Sequence, residues 1–495
     1  MRILIDTNIL IPMEDSSLEI DSKLAELSRL ASGKHQILYH PASKDDIKRD
    51  KNENRKKSIL ARLNKYIELE SPPALDENTE VEFFGTPKKD NDRVDNLILF
   101  SLHRNCVHWL ITHDQGIHKK AREIGESDRV YDVTQAILAL REIDQEHNNR
   151  LHPSIQNIPC HSLNIKDIFF DSLRSDYKEF NSWFDDKCCK EGRFAWVCIN
   201  DSNIDALCIY KIERNPIVTT DKRGLSGKSL KLCTFKVNKT GFKIGELFLK
   251  QTFNYAVDNK IENIYLTVAP KKQEMLENLL LDFGFVLYGV DSKGVDNVYL
   301  KVIPSLPPKT DDAPLNYLIK YYPRIKLHEN KGILVPILPQ YHKVLFPELE
   351  IQSDLFNGSS NSAGNSIKQA YICASPINSI SSGDILFFYR TKDRKSVTTY
   401  GVVDQFIIES EADKIYQWVA KRTVYSYSEI LEMNGNAKKV ILFRLVGHLN
   451  VEVSYDKLKQ LGIVTGSIQS VTTLSKENTI KLMKEANIND CIISN

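Results

Sequence analysis

The sequence predicts an α/β protein with three domains: an N-terminal domain with a parallel sheet, a central α+β domain and a C-terminal β-rich barrel. Three observations support this fold class. Short apolar runs that end in aspartate occur near the N-terminus, strand-like and helix-like runs alternate in the middle of the chain, and short strand-like runs predominate after residue 315. The chain of 495 residues is also too long for one hydrophobic core, and about 150 residues a domain favours three.

Two linkers set the predicted domain boundaries. The first is Asn-Asn-Arg-Leu-His-Pro at residues 148–153, and the second is Pro-Ser-Leu-Pro-Pro-Lys at residues 304–309. Proline cannot continue a hydrogen-bonded helix or a central strand. We therefore expect domains at residues 1–147, 154–303 and 315–495.

Composition excludes several classes of protein. The net charge of +1 argues against a surface coated with basic charge, although local basic patches are compatible with it. The nine cysteines contain no Cys-x-x-Cys pair, which indicates neither a zinc ribbon nor a disulfide framework. No stretch approaches the roughly 20 apolar residues of a membrane span, and Asp6 interrupts the first apolar run too early for a signal peptide. We expect a cytoplasmic protein that has no membrane partner.

Four aspartates follow strand-like runs or begin helix-like runs in the N-terminal domain. Asp6 and Asp114 come after short apolar runs, whereas Asp46 and Asp95 stand at the heads of helix-like stretches. Because open parallel sheets bind their ligands beyond the carboxyl ends of the strands, we expect the four side chains to converge. Capping and the helix dipole would explain any one of these acids singly, so the prediction depends on the set of four.

A cluster of carboxylates favours a metal ion. Two carboxylates about 4 Å apart repel each other by roughly 4 kcal/mol at an effective dielectric constant near 20, and a divalent cation would remove that repulsion. Oxygen ligands without cysteine or clustered histidine select Mg²⁺ or Mn²⁺. Asn8 and Thr112 are candidates for orienting the ligands, and ordinary turn chemistry is the alternative for both. His113 and His118 are either proton carriers or surface residues.

This region resembles the PIN-domain ribonucleases, a family that includes the toxins of many bacterial toxin–antitoxin pairs. The similarity is carried by four motifs: Ile5-Asp6-Thr7-Asn8, Asp46-Ile47, Asp95-Asn96-Leu97-Ile98-Leu99 and Ile111-Thr112-His113-Asp114. The resemblance implies hydrolysis of RNA with Mg²⁺ or Mn²⁺, and it implies that Asp6, Asp46, Asp95 and Asp114 are catalytic and bind the metal. Asp45 and Asp92 are alternatives to Asp46 and Asp95.

Basic residues beside these acids are candidates for guiding RNA. Lys48, Arg55 and Arg62 are seven apart, and on one helix they would share a face. We expect Lys48 and Arg55 to contact the RNA backbone, and a solvated helix face of mixed charge is the alternative.

The central domain resembles the GNAT family of N-acetyltransferases. The resemblance lies in a strand that ends at Val237, the segment Gly241-Phe242-Lys243-Ile244-Gly245-Glu246 and the later segment Asp282-Phe283-Gly284-Phe285. It implies an acetyl-CoA site formed by Val237, Gly241, Lys243, Ile244, Gly245 and Glu246, because the N–H groups at a helix start hold phosphate. Lys243 replaces a family glycine, and Leu280 replaces a family tyrosine. An active transferase and a scaffold without acetyl-CoA therefore both stay open.

The C-terminal domain resembles the ASCH and PUA-like barrels, which implies RNA binding. The similarity lies in residues 340–347 and 383–390. Stacking on bases and contact with phosphates need aromatic and basic side chains together. We expect this mixture to bind RNA at Tyr389, Arg390, Lys392 and Arg394, and a solvated hairpin tip is the alternative.

The sequence leaves two functions open. The favoured one is a metal-dependent endoribonuclease of the toxin or defence type, which acts on tRNA or other structured RNA that its barrel selects. The alternative is an acetyl-CoA-dependent N-acetyltransferase that acts on RNA or protein. Neutralisation of the nuclease by an antitoxin or by the later domains, and pairing into a homodimer, are further expectations.

Overall fold

The computed structural model describes residues 1–14, 21–31, 35–49, 52–144, 154–200, 203–238, 244–270, 273–327, 329–351, 362–363, 366–422, 425, 427–432, 438–488 and 492–494. The chain divides into two compact units. One contains Met1–Asn148 and Glu409–Ala437, and the other contains Asn149–Ile408 and Lys438–Asn495. Among the helices in these described ranges, none combines the length and apolar character needed to cross a membrane.

The N-terminal unit contains a sheet of five parallel strands, in agreement with the predicted α/β class. The strands are β1 (Arg2–Ile5), β2 (Gln36–Tyr39), β3 (Ile67–Glu68), β4 (Trp109–Ile111) and β5 (Val130–Tyr131). Their order in the sheet is β3-β2-β1-β4-β5. The central pair places Ile5 beside Ile111, so that β1 and β4 end at the same edge of the sheet. Both strands are apolar and buried, which is typical of a parallel sheet covered on both faces.

Helices connect these strands. They are α1 (Thr7–Glu14), α2 (Ser22–Ala31), α3 (Ser43–Lys48), α4 (Glu53–Arg62), α5 (Glu77–Phe84), α6 (Asp90–His103), α7 (Gln115–Glu123) and α8 (Val133–Asp144). One expectation was wrong: Lys48 does not share a helix with Arg55 and Arg62. A new helix starts after Asn52, whose side chain accepts the N–H of Arg55 at 3.1 Å. This is ordinary N-capping chemistry.

A further set of strands, several of them longer than those of the N-terminal sheet, belongs to the second unit. They are β6 (Ser154–Pro159), β7 (Phe194–Asn200), β8 (Asn203–Arg214), β9 (Lys228–Val237), β10 (Asn263–Val268), β11 (Val286–Val290), β12 (Asn297–Val302), β13 (Ile325–Leu327), β14 (Gly332–Ile337), β15 (Ser362–Ala363), β16 (Lys368–Cys373), β17 (Ile385–Arg390), β18 (Ser396–Glu409), β19 (Lys438–Ser454), β20 (Thr472–Leu474) and β21 (Ile492–Ser494). One sheet has the order β11-β12-β10-β9-β8-β7-β6-β15, and another has the order β16-β19-β18-β17-β14-β20.

The remaining helices lie between these strands. They are α9 (Asp171–Asp176), α10 (Phe180–Trp183), α11 (Ile244–Asp258), α12 (Glu274–Asp282), α13 (Pro314–Tyr321), α14 (Pro339–Leu345), α15 (Glu348–Ile351), α16 (Ala412–Val419), α17 (Tyr427–Glu432), α18 (Tyr455–Gln460) and α19 (Lys476–Glu485). Of these, α16 and α17 belong to the N-terminal unit.

The central and C-terminal regions share a hydrophobic core. Phe253 of α11 packs against Tyr322, which follows α13, with ring centroids 5.2 Å apart. Lys368 at the start of β16 donates a hydrogen bond to Asp282 of α12 at 3.0 Å. The three predicted domain ranges stay a prediction, and the packing of the chain groups the second and third, apart from residues 409–437, into one compact unit.

Candidate functional site

Asp6 lies directly after β1, where Thr112 from the end of β4 holds it. The Thr112 hydroxyl donates to Oδ2 of Asp6 at 2.6 Å, and the backbone N–H of Thr7 donates to Oδ1 at 2.6 Å. The same hydroxyl accepts hydrogen bonds from the N–H of Asp114 at 2.9 Å and from Asn8 Nδ2 at 3.2 Å. Thr112 therefore joins the two acids that end the central strands, and Asn8 orients its hydroxyl.

Asp114 caps the helix that follows β4. Its Oδ1 accepts the N–H of Ile117 at 2.9 Å, which is the N-cap contact of α7. Gly116 lies beside this carboxylate, and a Cβ on Gly116 would stand 2.9 Å from Asp114 Oδ1. A side chain at position 116 would therefore displace the acid.

The structure distinguishes Asp46 from its neighbour Asp45. The Asp45 side chain is 65% exposed and pairs with Lys48, whereas the Asp46 side chain is 16% exposed. Asp46 Oδ2 accepts from the Thr7 hydroxyl at 3.4 Å, and its Oδ1 lies 3.1 Å from Arg49 Nη2. Of the two acids, Asp46 is thus the one directed toward the end of β1.

Asp95 and Asp92 have opposite surroundings. Asp92 accepts the backbone N–H groups of Lys88 and Lys89 at the start of α6, and these bonds lower its pKa. Burial raises the pKa of Asp95 to about 7, and the carboxylates of Asp114, Asp6 and Asp46 contribute to the increase. Asp95 therefore belongs to the acidic group, and Asp92 caps a helix.

The four predicted acids influence one another electrostatically. Burial raises the pKa of Asp6 to about 6, against the hydrogen bonds from Thr112 and Thr7, and Asp114 and Asp46 raise it further. Burial also raises the pKa of Asp46. Carboxylates that resist ionisation in this way are typical of functional sites, and a bound cation would reverse the effect.

The side chains as they stand do not form a finished metal site. Within the described ranges, no group of three His, Cys, Asp or Glu side chains is arranged to hold a metal ion. Asp6, Asp114 and Asp46 instead accept hydrogen bonds from Thr112, Ile117 and Thr7. The oxygen donors fit Mg²⁺ or Mn²⁺ in chemistry, and ligation would require these side chains to exchange hydrogen bonds for the cation.

A buried polar group beside Asp95 was not predicted from the sequence. Asn96 is fully buried, donates to Glu80 Oε1 at 2.8 Å and accepts from Lys120 Nζ at 2.6 Å. Lys120 lowers the pKa of Asp95 against the stronger effects that raise it. His118 is half-buried, and its ring donates to the Thr112 carbonyl at 3.2 Å. Long-range contacts of this kind leave no local signal in the sequence.

The predicted acetyl-CoA residues are only partly described. Gly241 and Lys243 lie outside the described residues. Ile244, Gly245 and Glu246 begin α11, and the Glu246 carboxylate accepts the N–H of Lys368 at 3.1 Å.

The strands in front of this helix separate. Parallel pairing of β9 with β10 covers Ser229–Leu232 against Asn263–Leu266, while β9 continues to Val237 and β10 to Val268. The two strands are therefore not paired with each other beyond Leu232 and Leu266, which leaves an opening between them at that end.

The predicted RNA-binding residues of the C-terminal region do not form one surface. Tyr389 is 5% exposed and Arg390 is 3% exposed. The Arg390 guanidinium donates to Asp393 and to Glu350, and it lies 3.2 Å from His342 Nδ1. The prediction that Tyr389 and Arg390 contact RNA does not fit this burial, because base stacking needs an accessible ring. Lys392 is exposed, and Arg394 pairs with Glu452 at 2.8 Å.

Comparison with known proteins gives partial structural similarities. The chain matches no family model and no curated protein. The crystal structure of ASCH from Zymomonas mobilis is similar over 31% of this chain and 94% of that chain, with 16% identity and a TM-score of 0.25. The PaiA N-acetyltransferase from Thermoplasma acidophilum, in complex with coenzyme A, is similar over 30% of this chain and 99% of that chain, with 18% identity and a TM-score of 0.23.

A further match is the N-acetyltransferase PseH of Campylobacter jejuni, which has 15% identity and a TM-score of 0.22 and covers 30% of this chain and 99% of that chain. At TM-scores of 0.25 and below, these similarities do not say what this chain does. The resemblance of residues 1–147 to PIN-domain ribonucleases stays a prediction from the sequence motifs.

Proposed function

We propose that the N-terminal unit is a divalent-cation-dependent endoribonuclease, with Asp6, Asp46, Asp95 and Asp114 as the residues that hold Mg²⁺ or Mn²⁺. The observation that carries this proposal is electrostatic. Burial, and after it the neighbouring carboxylates from two strand ends and two helices, raises the pKa of Asp6 and Asp95. Ionised carboxylates in such an arrangement lower the free energy of unfolding, and a bound ligand of positive charge offsets that cost.

The chain's own residues supply positioning. Thr112 donates to Asp6 and accepts the N–H of Asp114. Asn8 orients Thr112. Arg49 orients Asp46. When bound, a divalent cation lowers the pKa of a coordinated water and stabilises charge that builds up on a phosphate. The RNA substrate, with tRNA as the first candidate, follows from the motif resemblance. Lys48, which pairs with Asp45 at 3.2 Å, and Arg55 are both exposed, and we infer that they contact the RNA backbone.

The test uses the full chain. Isothermal titration with Mn²⁺ and cleavage of tRNA transcripts are measured for the parent and for Asp6→Asn and Asp114→Asn. We expect each variant to lose Mn²⁺ binding and to cleave at least about 100-fold more slowly, because ligand loss removes the activation of water. Asp45→Asn is the matched control, since the Asp45 carboxylate is exposed. Cleavage by Asp6→Asn and Asp114→Asn at the parental rate would disprove the proposal.

A second candidate function, acetyl-CoA binding by the second unit, is favoured by the opening between β9 and β10. Strands that separate in front of a helix N-terminus leave backbone N–H groups for a pyrophosphate. An N-acetyltransferase that acts on RNA or protein would follow from such a site. Glu246 opposes it with a negative charge in the first turn of α11.

Calorimetric titration with acetyl-CoA tests this candidate. We expect binding that weakens in Gly245→Val, because even a Cβ at position 245 would stand 2.9 Å from Leu279 Cδ2 and the larger side chain would shift the first turn of α11. Gly466→Val is the control, since a Cβ there meets no atom within 4 Å. The absence of heat at millimolar acetyl-CoA would exclude the candidate.

A further inference from the structure

Residues 409–437, called the arm below, follow β18 and precede β19 in the chain yet pack within the N-terminal unit. The helix α16 of the arm buries Ile415, Tyr416 and Val419. Tyr416 lies against Trp109 of β4, with ring centroids 6.2 Å apart, and Trp418 stacks under the guanidinium of Arg129 at 4.8 Å. The arm therefore contributes to the core of a sheet from which it is almost 300 residues distant in sequence.

Two basic residues in the turn that follows α16 contact the edge strand β5 and the residues before it. Lys421 Nζ donates to the carbonyls of Ser127 at 2.9 Å and Val130 at 2.7 Å, and it lies 4.2 Å from the ring centroid of Tyr131. An edge strand presents backbone groups that have no partner strand on one side. Lys421 thus supplies a donor to a carbonyl of the last strand of the sheet.

Arg422 holds the turn that leads into β5. Its Nε and Nη2 donate to Asp128 Oδ2 at 3.0 Å and 2.6 Å. The two side chains are 6% and 11% exposed, so the pair is largely shielded from water. A charge-assisted contact of this kind fixes position more strictly than a surface ion pair does.

The strand held by the arm supports the acidic group. The Tyr131 carbonyl of β5 accepts the backbone N–H of Thr112 at 2.9 Å. Thr112 in turn donates to Asp6 and accepts from Asp114. A displacement of β5 would therefore move Thr112, and through Thr112 it would move both Asp6 and Asp114.

We propose that Lys421 and Arg422 are positioning residues for the acidic group, which they act on through β5 and Thr112, and that the arm is a required part of this site. The inference rests on the proposed function for the role of the cation. The arm that positions the site lies, in sequence, inside the C-terminal region. Loss of the arm contacts would disorder Thr112 first and weaken cation binding second.

Hydrogen exchange in the full chain tests the first step. In Lys421→Met we expect exchange at the Thr112 amide to become about tenfold faster, since the carbonyl that accepts it belongs to a loosened edge strand. Lys421→Arg keeps two N–H donors and should restore the parental rate. Lys414→Met is the matched control, because Lys414 lies in α16, close to Lys421 in sequence, and pairs locally with Glu411 at 2.6 Å. Unchanged exchange at Thr112 in Lys421→Met would overturn the inference.

Mn²⁺ titration of the same variants tests the second step. We expect the dissociation constant to rise about tenfold in Lys421→Met and Arg422→Met, the lower end of the range for groups that orient metal ligands, and to return to the parental value in Lys421→Arg. A merely structural role would lower the unfolding temperature and leave Mn²⁺ affinity unchanged, and that result overturns the inference. If the parent binds no Mn²⁺, the proposed function fails, and exchange at Thr112 alone then decides whether the arm positions this residue.

Discussion

At the scale of single residues, the raised pKa of Asp95 shows how strongly the acidic group disfavours ionisation. Burial, followed by the carboxylates of Asp114 and Asp6, raises the pKa of Asp95 to about 7 from an ordinary value of 3.8. The folded chain therefore binds more protons than the unfolded chain between about pH 4 and pH 7. The free energy of unfolding falls as pH rises through that window.

Asp95→Asn removes this contribution. Without divalent cations at pH 8, we expect the variant to be more stable than the parent by about 1 to 2 kcal/mol, a value reduced to allow for screening of a partly exposed group. Hydrogen exchange of the β1 and β4 amides in EDTA, measured from pH 5 to pH 8, gives the free energy of opening for the N-terminal unit. An equal pH dependence in the variant and the parent would contradict this expectation.

Asp92→Asn provides the contrast. Asp92 accepts two backbone N–H groups at the start of α6. Its replacement should destabilise the same unit by about 1 kcal/mol, as the loss of a charged cap does. The helix α6 thus carries two acids with opposite effects on stability: Asp92 stabilises the unit and Asp95 destabilises it. Their spacing of three residues in the sequence does not reveal this difference.

At the scale of elements, the strand and helix starts around the site depend on small residues and caps. The helix α7 begins where Asp114 accepts the N–H of Ile117, and Gly116 leaves room for that carboxylate. A glycine inside a helix weakens it. Its presence here is explained by the 2.9 Å between its would-be Cβ and Asp114 Oδ1.

Gly116→Ala separates helix stability from the geometry of the site. Alanine favours the helix by up to about 1 kcal/mol, while its Cβ displaces the Asp114 carboxylate. We expect a roughly tenfold loss of Mn²⁺ affinity with little change in unfolding temperature, measured by titration and by thermal denaturation. Gly466→Ala, in open space, should change neither quantity. Parental Mn²⁺ affinity in Gly116→Ala would show that Asp114 does not need this space.

At the scale of the whole molecule, the N-terminal unit consists of two separate stretches of chain. A protein that ends at Asn148 lacks Arg422, the partner of the mostly buried Asp128, and it also lacks Tyr416 and Trp418. Removal of one member of a buried ion pair is strongly destabilising, by about 3 to 5 kcal/mol. The isolated N-terminal stretch is therefore not equivalent to the unit inside the full chain.

Truncation provides the test. We expect residues 1–148 to unfold at a lower temperature and to be cleaved faster by protease than the same unit in the full chain, whereas a fusion of residues 1–148 to residues 409–437 should recover both properties. Circular dichroism and limited proteolysis measure these properties. A truncated protein that is as resistant as the fusion would show that the arm adds no stability. The expectation that the later domains neutralise the nuclease must therefore be tested with the fusion as well as with residues 1–147.

Sequence alone determined the elements whose signal is local. The apolar runs that became β1 and β4 and the aspartates that follow them were predicted, because periodicity, capping and strand length are properties of neighbouring residues. The placement of Asp6 and Asp114 at one edge of the sheet was also predicted, because parallel strands end at the same edge.

Only the tertiary structure decided which acid of each adjacent pair faces the group, and only it showed that Tyr389 and Arg390 are buried. It also assigned residues 409–437 to a unit that begins with Met1. The physical reason is the same in each case. Side-chain direction, burial and the pairing of Arg422 with Asp128 depend on contacts between residues far apart in the chain, and such contacts leave no periodic trace in the sequence.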